Sequence, residues 1–151
     1  MDAPEKNIHL SYAAAISAIA LLVAACSPLE GVSSKAQSPE AQLTGAREVP
    51  PVSTQAFGHS TITIAADKTV SGMLFVNGMN ATAAHIHQGA KDTNGPVIVP
   101  LTKTSDATFA VPADAKITDE QHASYMAGNL YINVHSTAYP GGEIRAQMNP
   151  K

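Results

Sequence analysis

From residue 41 onward, apolar and polar residues alternate in short runs. The stretch Phe57–Ile64 puts Ile62 and Ile64 on one face and Thr61 and Thr63 on the other, the period-2 pattern of a half-buried strand. The stretch Thr69–Val76 puts Val70, Leu74 and Val76 on one face together with Gly72. Asp67-Lys68 predicts the turn that joins these two runs into a hairpin. Further strands are predicted at Thr82–His87, Pro96–Leu101, Ala107–Val111, Asn129–His135 and Gly142–Met148, the last two joined by a turn at Ala138-Tyr139-Pro140-Gly141. Thr118-Asp119-Glu120-Gln121 reads as a capping box opening one short helix that stops at Gly128. Closely spaced short strands with so little helix predict an all-β, antiparallel Greek-key sandwich. Its single core would gather Ile62, Ile64, Val70, Leu74, Val76, Ile86, Leu130, Ile132, Val134 and Ile144.

Upstream the pattern changes. Ala13–Ala25 is apolar except for Ser17, too short to span a bilayer comfortably and right for the apolar region of an export signal. It ends in Leu22-Val23-Ala24-Ala25-Cys26, which resembles the lipobox of bacterial lipoproteins. That resemblance implies cleavage before Cys26, lipidation of Cys26 and membrane lipid as a partner. The preceding segment departs from the pattern, carrying Asp2 and Glu5 beside Lys6. The competing interpretation is an N-terminal core helix with a buried Cys26. Ser27–Glu40, rich in Ser, Gly and Pro without an apolar period, reads as a linker. The expected organisation is a signal peptide over 1–25, a lipid anchor and flexible linker over 26–40, and one domain over 41–151. The expected location is the cell envelope, facing the periplasm or the extracellular space.

Composition narrows the chemistry. The 151-residue chain has a formal net charge of −3, no Trp and no Lys/Arg cluster. That excludes a nucleic-acid partner, which needs a concentrated basic face, and a polybasic lipid contact. A single Cys excludes an intrachain disulfide, so core packing or a metal must hold the fold. Ser60 and Ser136 lie near histidines in sequence, but no acid is placed to complete a hydrolase triad.

Five segments, in order, resemble the CHRD (chordin) domain. They are Leu43-Thr44-Gly45-Ala46-Arg47-Glu48-Val49-Pro50-Pro51, Ala83-Ala84-His85-Ile86-His87, Asn94-Gly95-Pro96-Val97, Leu130-Tyr131-Ile132-Asn133-Val134-His135 and Pro140-Gly141-Gly142-Glu143-Ile144-Arg145-Ala146-Gln147. The resemblance implies a single-domain exported protein and by itself assigns no activity.

The residues themselves suggest a metal. His85 and His87 sit at i and i+2 of a strand, so both imidazoles point to one side, roughly 6.6 Å apart at the backbone. With Leu130, Ile132 and Val134 facing inward, His135 lies on the outer face with Tyr131 and Asn133. If the two strands are neighbours, three imidazoles meet outside the sandwich. Three neutral nitrogens suit copper first and zinc second. Gly89 and Gly141-Gly142 would let loops approach closely.

The arrangement is similar to the copper site of copper/zinc superoxide dismutases, which place a His-x-His strand on the outer face of a Greek-key barrel. The expected fold is thus Ig-like or superoxide-dismutase-like. The disulfide and zinc ligands of those enzymes have no counterpart here. Arg145 is the candidate for attracting a small anion. Three functions remain: an envelope-anchored metal-binding lipoprotein, a copper-only dismutase-like enzyme, and a metal-free extracellular binding module whose histidines only fasten loops. His59 and His122 are expected on the surface, and Glu143 with Arg145 reads as a surface ion-pair ladder. The protein partner is left open.

Overall fold

The computed structural model describes residues 41–150. The signal segment, Cys26 and the linker lie outside the described residues. No helix among the described residues is long and apolar enough to cross a membrane.

Among the described residues eleven strands and one α-helix follow in chain order, with a short 3-10 turn at Gly45–Arg47. The first five strands are Ala41–Thr44 (β1), Phe57–Ser60 (β2), Thr63–Ile64 (β3), Val70–Ser71 (β4) and Met73–Asn77 (β5). Next come Ala81–Gln88 (β6), Val97–Pro100 (β7), Thr102–Ser105 (β8) and Thr108–Ala110 (β9). The helix Asp119–Met126 (α1) precedes Leu130–Ser136 (β10) and Ile144–Met148 (β11). Nine strands form one antiparallel sheet in the order β7-β6-β10-β11-β1-β2-β5-β9-β8, and β3 pairs with β4 separately. The two ends of that order are consecutive in the chain, with only Leu101 between β7 and β8. One extended segment therefore pairs first with β6 and then with β9. Leu101 N donates to Ala84 O, and Lys103 Nζ donates to Ala81 O, both on β6. The sheet closes on itself as a barrel-like sandwich, which leaves no long free edge for other chains to pair with.

The interior follows the alternation. All ten residues read as core are buried, joined by Leu43, Val99, Phe109, Ala146 and Met148. The predicted hairpin forms with its turn at Asp67-Lys68, where Lys68 N donates to Ala65 O. It is broken midway: Gly72 takes φ +120°, so β2–β5 and β3–β4 pair as two short ladders. The capping box forms as read, with Gln121 N donating to Thr118 Oγ1 at 3.2 Å and Thr118 N to Gln121 Oε1 at 2.9 Å.

Candidate metal centre

The site is built on the outward side of β6, β10 and β11. Antiparallel register sets Asn133 opposite His85, Tyr131 opposite His87 and Asn133 opposite Arg145. Residues facing each other across an antiparallel pair share a face, so these side chains form one outer layer. His135, two residues beyond Asn133, lies diagonal to His85. The three histidines are thereby gathered: one ring nitrogen from each lies within 4.8 Å of the others. His85 Nδ1 and His135 Nε2 are 3.0 Å apart. A tetrahedral site with metal–nitrogen bonds of about 2.05 Å needs edges of roughly 3.4 Å, which falls between these two separations.

The hydrogen bonds of the outer nitrogens fix which lone pairs are free. His87 Nδ1 lies 2.9 Å from Gly95 O, and His135 Nδ1 lies 2.8 Å from Pro140 O. A carbonyl only accepts, so both Nδ1 atoms carry the proton and both Nε2 atoms keep a lone pair. His87 Nε2 and Asn133 Oδ1 are both buried without a hydrogen bond of ordinary geometry, and the Asn133 side chain acts on the His87 ring as a weak hydrogen-bonding neighbour. An orphaned buried acceptor is costly unless something binds it. Carbonyls that orient a ligating imidazole through its second nitrogen are the usual outer support of a metal site. Burial, then the neighbouring charges of His135 and His87, holds His85 below the ordinary imidazole range. Burial does the same for His87, opposed by its bond to Gly95 and by the Asn133 side chain and aided by the charges of His135 and Arg145. Both rings are thus kept neutral, the form that binds a metal.

What surrounds the histidines was only partly legible in the sequence. The middle of the outer face of these strands is not solvated, while His85, His135 and Gln147 around it are half-buried. Tyr131 and Asn133 are buried beneath loops, and Arg145, at 1% exposure, is among the most buried side chains in the protein. Its guanidinium lies 3.4 Å from the centre of the Tyr131 ring, while His87 stacks on the same ring at 4.7 Å. Arg145 also donates to Asn94 Oδ1 and to the carbonyls of Ala90 and Thr93. It therefore fastens the 89–96 loop, and that loop supplies the Gly95 carbonyl that orients His87. Here Arg145 is a positioning residue.

The surface ion-pair ladder with Glu143 does not form. Glu143 is buried and accepts from Thr54 Oγ1 at 2.7 Å. The acid nearest in effect to Arg145 is Glu48, also buried, whose carboxyl is pushed up by burial and pulled back by the Arg145 charge. Asn133 Nδ2 donates to Glu48 Oε1 at 3.4 Å. Glu48, Asn94, Tyr131 and Asn133 were missed as site residues. The available signal was the outward position of Tyr131 and Asn133 beside His135, polar groups too bulky to need no cover.

Three glycines make the close packing possible, among them Gly89, where a Cβ would sit 2.9 Å from the Tyr131 ring. A Cβ at Gly95 would sit 1.7 Å from Gln88 O, so the loop can lie on β6 only without a side chain there. Gly142, at φ +131°, would place a Cβ 2.5 Å from Asn133 Nδ2 and 2.7 Å from Glu48 Oε1. Gly141, expected to share that role, faces open space. The remaining histidines among the described residues are elsewhere: His59 on β2 stacks on Phe75 at 4.9 Å, and His122 in α1 lies 6.3 Å from Tyr125.

The family model of the CHRD domain matches residues 40–148. The chain belongs to the CHRD domain family. No curated protein and no solved structure matches the chain. The five CHRD segments converge in space. The Leu43–Pro51 segment brings Glu48, the Asn94–Val97 segment brings the loop that orients His87, and the Pro140–Gln147 segment brings Arg145 and the His135 acceptor. In this CHRD domain the motifs are thus the walls and the contents of one buried polar layer around three histidines.

Proposed function

We propose that this CHRD protein is an envelope-anchored lipoprotein that binds a transition metal, copper foremost, through His85, His87 and His135. The observation that carries the metal reading is the gathering of one ring nitrogen from each of three imidazoles within 4.8 Å, with His87 Nε2 buried and without a hydrogen bond of ordinary geometry. Three neutral nitrogens without carboxylate or thiolate favour copper over zinc. When bound, copper would supply a redox-active cation held by these three rings. Membrane attachment rests on the lipobox resemblance that ends at Cys26.

Calorimetric titration with Cu(I), Cu(II) and Zn(II) tests the metal. The alanine variants of His85, His87 and His135 are each expected to lose about 100-fold or more in copper affinity, because two imidazoles leave a weak, flexible site. A wild-type chain that binds no copper, or a triple variant that binds it equally well, overturns the reading. Cys26→Ser tests the anchor by membrane fractionation: the folded protein should move to the soluble fraction.

A dismutase-like activity is not part of the proposal. The cation that would attract the anion, Arg145, lines a cavity that none of the three histidines lines. The metal-free alternative draws on one observation, the 3.0 Å contact between His85 Nδ1 and His135 Nε2, which joins two of the rings without an ion. It leaves His87 Nε2 with no more than the weak influence of the Asn133 side chain.

A further inference from the structure

Beside Arg145 lies a polar cavity of about 510 Å³, whose lining includes Arg47, Lys91, Asp92, Arg145, Gln147 and Asn149. None of the three clustered histidines lines it. Three cations there face one carboxylate, in a chain whose formal net charge is −3.

The buried member of this set is the informative one. The Nη atoms of Arg145 bond to the Asn94 side-chain oxygen and to the carbonyls of Ala90 and Thr93, all neutral acceptors. Among the described residues no carboxylate lies within ion-pair distance of it, and the acid that feels its charge, Glu48, is itself buried with its carboxyl pKa pushed up by that burial. A buried guanidinium is ordinarily matched by a counter-charge, because desolvating a cation without one is costly. Arg47 and Lys91 are exposed and reach the same cavity from two different segments, and Arg47 donates to Gln42 O. The Gln147 amide nitrogen is already used by the carbonyls of Gly89 and Gly128, so it holds the wall in place.

We propose that this cavity binds an oxyanion, a phosphate or a carboxylate, between Arg47 and Lys91 and against the buried charge of Arg145. Guanidinium and ammonium groups together recognise such anions by charge-assisted hydrogen bonds. The site is separate from the metal centre and stands or falls without it.

The test is calorimetry on the metal-free full chain, prepared without a carboxylate chelator. Inorganic phosphate and citrate are titrated in parallel, with sodium chloride at matched ionic strength as the third arm. Saturable binding of phosphate alone identifies a phosphate site, and of citrate alone a carboxylate site; chloride should give neither heat nor thermal stabilisation. Lys91→Ala and Arg47→Ala should each weaken binding about tenfold, and the double variant should abolish it. Both residues are exposed, so the melting temperature of the double variant without anion should match wild type, which separates lost binding from lost fold. The proposal is overturned by the absence of saturable binding up to about 10 mM of either anion. It is equally overturned by unchanged binding in the double variant or by equal stabilisation with chloride.

Discussion

The two halves of the closed sheet share one core and differ entirely in what lies outside it. On β2, β5, β9 and β8, the inward residues Leu74, Val76 and Phe109 are buried, while Phe57 and Met73 on the outer face are exposed and every residue of β8 is exposed. On β6, β10 and β11 the inward residues Ile86, Ile132 and Val134 are equally buried, but the middle of the outer face is buried too. Its layer is made of Tyr131, Asn133, Arg145 and His87, with Glu48 closing from the side. Packing accounts for the first half without remainder. The second half covers polar and charged groups that would be better solvated, and a protein gains nothing in stability from that unless the layer holds something.

The sharpest way to separate the halves is to damage each and read both stability and metal affinity. Leu74→Ala removes a fully buried side chain from the plain half. It should cost about 2–5 kcal/mol in denaturant unfolding and leave the copper affinity of the folded fraction within about twofold. Arg145→Lys keeps the charge but loses the fork that holds Asn94, Ala90 and Thr93. It should lower copper affinity roughly 10- to 100-fold through the loosened Gly95–His87 contact, the usual loss for an outer support of a metal ligand. Equal affinity losses in the two variants would erase the distinction.

Acid should distinguish the halves next. In the metal-free chain, His85 and His87 titrate below the ordinary value of 6.5 in the folded state. As pH falls through about 6.5 the unfolded chain takes up protons that the folded chain refuses, so stability is full above that value and declines from there down to the folded values. Glu48 works in the opposite direction at lower pH: its raised carboxyl pKa favours the folded state where it is protonated, a contribution lost as pH rises through the folded value. Urea midpoints measured from about pH 8 to about pH 5 should fall below neutrality, and the His85→Ala/His87→Ala pair should flatten that fall. Copper loss on acidification should come below the pH at which a free imidazole would release it, because protons compete less well for these rings.

A smaller effect belongs to Tyr131→Phe. It keeps the ring between His87 and Arg145 and removes only the hydroxyl that accepts from Gly95 N at 3.1 Å. The cost should be about 1 kcal/mol in stability with a few-fold weaker copper binding.

The contrast between the halves also explains what the sequence could reveal. Alternation reports two faces, and the inner face was read correctly at all ten core positions, from Ile62 to Ile144. It also put His135 on the same side as Tyr131 and Asn133, and the i, i+2 spacing put His85 beside His87. Alternation is silent on what covers the outer face. Polar residues at outward positions look solvated until a loop distant in sequence is laid over them, as the 89–96 loop is laid over Tyr131. Arg145 and Glu143 were misread as surface groups for this reason. Strand β8, Thr102–Ser105, was missed because it is exposed at every position and so carries no apolar alternation. It is defined by closing the sheet, a property of the topology and not of the segment.

The smallest expected effects fall on the plain half and at its helix. His59 lies on β2, separated from β10 by β11 and β1 in the sheet order, hence roughly 14 Å away at ordinary strand spacing. Its ring rests on Phe75, and His122 sits in the first turn of α1 near Tyr125. Neither contributes a nitrogen to the cluster. His59→Ala and His122→Ala should therefore leave copper affinity within about twofold of wild type and change stability by about 0.5 kcal/mol or less. The experiment is informative because an imidazole is a competent copper ligand anywhere on a surface. If binding followed histidine count and not geometry, removing either of these two would weaken it as much as removing His135. A drop of that size at His59 would move the metal to the open half of the sheet and leave the buried polar layer without its proposed purpose.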